Sequence, residues 1–139
     1  MEKKSILTDD EINNLLLQIY QGEITEQKLP ENLYNSISEE LKKALYKGYG
    51  GSLKDFEKDS REYELLNSLR TNIYKFSGAK VFQQIKLMSD KTLLSLPFDQ
   101  FKEKAMKIFN KHNRTWLQTE SNTTEKQAIN ARNWLTFQK

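Results

Sequence analysis

The chain has 139 residues with a net charge of +3, one histidine and no cysteine. Its length suits one domain with its own core, and the lack of cysteine excludes disulfides, thiolate metal sites and a cysteine nucleophile. No apolar run approaches the roughly 20 residues of a bilayer span, and acidic residues near the start interrupt any leader-like apolar region, so the expectation is a soluble, unexported protein.

Thr8-Asp-Asp-Glu11 has the spacing of a capping box and opens a first helix whose apolar face is Ile12, Leu15, Leu16 and Ile19, with Gly22 as its stop. A second helix begins at Pro30, whose fixed φ and missing N–H suit a first turn, and runs through Leu33, Ile37, Leu41, Ala44, Leu45 and Gly48. "KGYGGS" ends it. Those glycines lack the preceding strand and the Gly, Lys, Ser/Thr order of a phosphate loop, so they read as a helix terminator and turn.

Leu66, Leu69, Ile73, Phe76, Phe82, Ile85 and Met88 mark a third, longer helix over about 60–89. Gly78 in its interior costs roughly 1 kcal/mol relative to Ala, which suggests close approach of another helix or a kink. Pro97 opens the last helix, whose apolar face continues through Phe98, Phe101, Ala105, Ile108, Phe109 and Trp116. With no sustained period-two alternation, the class is all-α: one domain over 1–139, the first three helices in 1–96 and a long terminal helix in 97–139.

The apolar stripe then stops, because Gln118 to Gln127 contains no apolar side chain. Either the helix breaks near Ser121-Asn122, or it continues as a polar arm, 118–139, that leaves the core. Trp116 and Trp134 favour continuity: eighteen positions is five turns, which places both on one face about 27 Å apart, beside Glu120, Thr123 and Gln127. A helix over 97–135 would run about 58 Å, longer than so small a domain covers, so its end is expected to project. Trp134 would then pack on a neighbouring copy or the first helices, or else form, with Leu135 and Phe137, the apolar anchor of a docking arm.

"WLQTESNTTEKQAINARNW" resembles a segment of MuF-like phage minor head proteins, the phage head morphogenesis family, with the pattern W/Y-L-x-T/A-E-x-N-x-x-x-x-x-A-x-x-A-R-x-W. Trp116, Leu117, Thr119, Glu120, Asn122, Ala128, Ala131, Arg132 and Trp134 are the matching positions. "IYQGEI", "LPENLYNSISEELKKALYKGYG" and "LRTNIYKFSGAKVFQQIKLM" are similar to upstream stretches of the family, so the likeness covers most of 15–139. Ser121 departs from the tyrosine common there, and a further region with a His and a Gly-rich signature has no counterpart in this sequence. The resemblance is thus to the amino-terminal helical module. It implies a structural protein of the phage head, assembled in the bacterial cytoplasm into an oligomeric structure with portal or coat protein and contacting packaged DNA.

From the family likeness and the side-chain types together, Trp116 and Leu117 are expected to anchor the arm. Glu120, Asn122 and Arg132 would offer polar contacts to a partner, and Trp134 would fill a pocket on it, with Ala128 and Ala131 on the same segment. A second reading starts from charge. Residues 1–52 carry 6 basic and 9 acidic side chains and residues 53–139 carry 16 and 10, and Lys104, Lys107, Lys111 and Arg114 follow 3-4-3 spacing. Such a stripe could follow a phosphate backbone with salt-sensitive affinity. Catalysis finds little support: there is no nucleophile elbow, HExxH or dinucleotide fingerprint, and no cofactor or metal is indicated. His112, four residues before Trp116, reads as structural. The acidic pairs Asp9/Asp10, Glu39/Glu40 and Glu62/Glu64 read as solvated helix faces, and the glycosylation sequons at Asn113 and Asn122 as chance.

Overall fold

The computed structural model describes residues 6–137, so the ends of the chain, including positions 138 and 139 of the expected arm, lie outside the described residues. The helices, in chain order, are α1 (Asp9–Tyr20), α2 (Glu31–Tyr49), α3 (Arg61–Met88), the single turn α4 (Lys91–Leu94), α5 (Phe98–Asn110) and α6 (Leu117–Phe137). A short 3-10 turn at Leu53–Asp55 follows α2, and a π-helical segment at Lys111–Trp116 joins α5 to α6. No strand is present among the described residues, and the fold is all-α with a long carboxy-terminal helix.

Local chemistry explains most boundaries. The capping box at α1 is present: the Glu11 amide donates to Thr8 Oγ1 at 3.1 Å and the Thr8 amide donates to Glu11 Oε1 at 3.0 Å. Pro30 and Pro97 each stand one position before the first helical residue, with extended ψ, rather than inside the first turn. Gly50 (φ +85°) closes α2 in the left-handed region, where a Cβ would be strained.

The buried side chains form one cluster drawn from every long helix. α3 runs back along α2, as the Tyr49–Glu62 hydrogen bond where the chain turns and the Lys42–Tyr74 hydrogen bond midway along the pair require. α6 lies parallel to α2, with Lys47 Nζ 3.6 Å from Glu125 Oε1, and this is the most extensive helix pair in the molecule. α1 closes the α5 end, where Tyr20 packs on Phe98 and Phe101 and donates its hydroxyl to the Leu96 carbonyl at 2.7 Å.

The polar segment therefore does not break, and it does not project as expected. It lies along α2, with Ala128 fully buried and Leu135 nearly so. The reason is Gly48. A Cβ built there would overlap the Glu125 carbonyl oxygen and press on Ala128 Cβ at 3.0 Å, so only glycine lets the two backbones come this close. Gly78, for which the sequence left open a close approach or a kink, marks no close approach: a Cβ there would meet only Tyr34 Cε2 at 3.7 Å, an ordinary contact.

These two glycines give opposite predictions. Gly48→Ala forces α6 off α2 and should cost about 1–3 kcal/mol in urea unfolding, as overpacking does. Gly78→Ala should raise stability by about 0.5–1 kcal/mol, because the helix interior gains a better former without a clash.

Candidate functional site

Phe101, Ala105, Phe109, Asn113 and Leu117 are buried, each four residues after the last. In an α-helix that line would slip around the axis by about 40° per step. The π segment at Lys111–Trp116 absorbs the slip by widening the turn, which keeps the rod against the core as it passes from α5 to α6.

Asn113 sits inside that wide turn and pairs with Gln84 of α3. Asn113 Nδ2 donates to Gln84 Oε1 at 2.8 Å, and Gln84 Nε2 donates to Asn113 Oδ1 at 3.0 Å, with both residues buried. The reciprocal pair satisfies one donor and one acceptor of each amide and locks the wide turn to one position on α3. It also removes the Asn113 sequon from reach, because that amide is inside the protein.

On the next turn Trp116 stacks on Phe76 with centroids 5.3 Å apart and planes 14° from parallel, and Lys80 Nζ lies 3.2 Å from the Trp116 ring centroid. His112 stands 6.5 Å from Trp116, ring to ring, and its Nδ1 is buried without a hydrogen-bond partner among the described residues. The sequence expectation of a structural histidine beside Trp116 fits its place, but not its hydrogen bonding. Burial, together with the nearby Lys80 and Lys111 cations, holds its pKa below the ordinary 6.5.

Beyond Trp116, α6 and α3 part and leave a groove of about 290 Å³. Leu41, Leu45, Ile73 and Phe76 give it an apolar floor, and Asn72, Glu120, Thr123, Thr124 and Gln127 give it polar walls. Glu120, Thr123 and Gln127 are the positions expected beside the tryptophan face. At the far end Arg132 folds inward, its guanidinium carbon 4.8 Å from the Phe56 ring centroid and 5.4 Å from that of Tyr49. Tyr49 is itself buried and donates its hydroxyl to the Glu62 carbonyl at 2.6 Å.

Leu117 is buried in the core, the place expected of a residue that anchors the segment to the bundle. Several residues expected to meet a partner are also engaged within the chain: Ala128 is buried, Ala131 packs against the core, and Arg132 is held over two aromatic rings. Those three cannot serve as a free docking face, because the close approach of α2 and α6 turns them inward. Trp116 is half-buried on Phe76, and Asn122 is exposed and accepts from Gln118 Nε2 at 2.9 Å. Trp134 remains open, 57% exposed, with Phe137 at 87% one turn later.

Lys104, Lys107, Lys111 and Arg114 are all exposed, and none stands in an ion pair among the described residues. The π turn offsets Arg114 from a line through the three lysines. Glu39 and Glu40 pair with Lys42 and Lys43 at 2.7 and 3.5 Å, and no three His, Asp or Glu side chains converge among the described residues. Sequence reasoning missed the Gln84–Asn113 pair and the Arg132–Tyr49–Phe56 cluster. The four-residue recurrence ending on a polar Asn113 was the available signal for the first. No protein-family model matches the chain, and comparison with the curated proteins and with the solved structures gives no match.

Asn113→Ala should strand both Gln84 amide groups in the interior and cost about 1–3 kcal/mol. The double change Gln84→Leu with Asn113→Leu should cost less than the sum of its single changes, because no polar group is left unpaired. A second outcome concerns pH. With the folded pKa of His112 below 6.5, the unfolded chain binds the proton first, so its contribution to stability is intact above about 6.5 and is lost as pH falls toward the folded value. Lys80→Met should move that pKa up while burial keeps it under 6.5. The sole histidine of the chain makes its ring resonances a direct readout in an NMR titration.

Proposed function

We propose that the chain is a structural, non-catalytic protein of the head of a tailed phage or prophage, docking on portal or coat protein through the carboxy-terminal end of α6. The observation that carries this reading is the pair of open side chains at that end. Trp134 and Phe137 are exposed at 57% and 87%, three positions apart on one helix face, while the preceding part of the segment is folded into the bundle. Large aromatics left in water on a rigid element are the side chains that most often dominate protein interfaces. The likeness of Trp116–Trp134 to the MuF-like head proteins supplies the kind of assembly. Among its other matching positions, Leu117, Ala128, Ala131 and Arg132 hold the helix that presents Trp134.

A second reading rests on the basic stripe. Lys104, Lys107 and Lys111 are exposed, and none has an anionic partner among the described residues, which suits a phosphate backbone with strongly salt-dependent affinity. In that case the protein is an accessory that contacts packaged DNA, and α5 is its working face.

One capture experiment separates the two. Tagged protein is incubated with nuclease-treated lysate of its source, washed at high salt, and the retained proteins are identified by mass spectrometry. Portal or coat protein should be retained, and Trp134→Ala with Phe137→Ala should lose it by a factor of about 30 or more, as truncation of a buried interface Trp costs at least about 2 kcal/mol. Duplex DNA binding at low salt that survives those changes and disappears on reversing Lys104, Lys107 and Lys111 to Glu would instead select the second reading.

A further inference from the structure

We infer that the groove between α3 and α6 receives Trp134 of a second copy of this chain, in a two-fold, antiparallel pairing of the two α6 helices. This rests on the reading of the α6 end as an assembly surface and names its first partner.

The groove and the tryptophan lie on one strip. Glu120, Thr123, Gln127 and Trp134 are separated by three, four and seven residues, so all four project from one side of α6. Within one molecule they cannot meet: Trp134 is about 15 Å along the axis from the groove's middle near Thr124, on the same straight helix. Between two molecules they can. A two-fold axis crossing the contact side of α6 midway between the groove and Trp134, near the exposed Asn130, sets each Trp134 opposite the other chain's groove, and both sites fill at once, which is the defining property of an isologous contact.

The chemistry of the groove fits an indole. Its floor is apolar, which suits the ring, and Glu120 and Gln127 on its wall supply acceptors for the single N–H that a buried Trp must satisfy. Its volume of about 290 Å³ falls at the lower edge of small-molecule clefts, enough for a side chain rather than a complete organic ligand. Phe137, one turn beyond Trp134, would reach in the same arrangement toward the end of the groove where Phe76 stacks on Trp116. Aromatic side chains that are exposed in one copy would then be covered by apolar surface open in the other. A contact limited to a few turns of one helix lies at the small end of specific interfaces, so the pairing is expected to be weak, with a dissociation constant on the order of micromolar.

Sedimentation velocity on the full chain from about 1 to 300 µM tests this. The wild type should pass from monomer to dimer and stop there. Trp134→Ala removes the inserted side chain, and Thr123→Arg obstructs the groove without touching Trp134. Each should weaken the dimer at least about tenfold, and helical circular dichroism should be unchanged because both positions are exposed. A wild type that stays monomeric throughout, growth past the dimer, or a dimer indifferent to either substitution overturns the pairing. Retention of portal or coat protein by a monomeric wild type would overturn the pairing alone. A dimer lost on both substitutions, with no head protein retained, would keep the pairing and reject head assembly.

Discussion

The close approach of α2 and α6 at Gly48 is the constraint on which the rest of the molecule depends. α6 offers the core only Leu117, Ala128 and Leu135 as buried side chains, too few to hold a six-turn helix by apolar burial in the usual way. Missing side-chain volume on both partners compensates. With no Cβ at position 48 and a methyl group at 128, backbone meets backbone, and dispersion between closely spaced main-chain atoms supplements the small apolar area. A helix read from its sequence as a free polar arm is in this way a wall of the bundle.

Once α6 is fixed against α2, the rod that contains it must also satisfy α3 and α1 through α5. A straight α-helix cannot keep five positions, each four residues from the last, in line, and the π segment at Lys111–Trp116 resolves the mismatch. A wide turn exposes backbone and leaves gaps, and a polar side chain is better suited to the gap than an apolar one. The Gln84–Asn113 amide pair occupies it with both residues buried. The same turn buries His112 beside Trp116 and Lys80, and that burial, reinforced by the Lys80 and Lys111 cations, explains why this histidine resists protonation. Electrostatics and packing at this junction thus have one origin.

Much of the fold was legible in the sequence, and the failures share a cause. Apolar periodicity and caps located the long helices, since Thr8, Glu11 and the prolines act through their immediate neighbours. Gly48 and Gly78 were not distinguishable that way. Both are glycines inside helices, and which of them faces another backbone is decided by a partner some eighty residues away in one case and by its absence in the other. The candidate site divided likewise. The basic character and exposure of Lys104, Lys107 and Lys111 are intrinsic to α5. The inward turn of Ala128, Ala131 and Arg132 depends on where α6 docks, and the polar composition of the segment argued for an arm that leaves the core.

This redistribution changes what the residue pattern from Trp116 to Trp134 means physically. In a free arm, its small residues and its arginine would belong to the partner's side of the problem. In the folded chain Ala128 permits the approach to Gly48, and Arg132 covers Tyr49 and Phe56 at the point where α2 ends. Their effect is to make α6 rigid up to its last turns. An aromatic side chain on a rigid helix loses little further freedom when it is buried in a partner, so more of its apolar contact appears as affinity. Trp134 and Phe137 gain from every contact that the rest of the segment makes internally, and a substitution at Ala128 or Arg132 would be felt by a binding partner that touches neither.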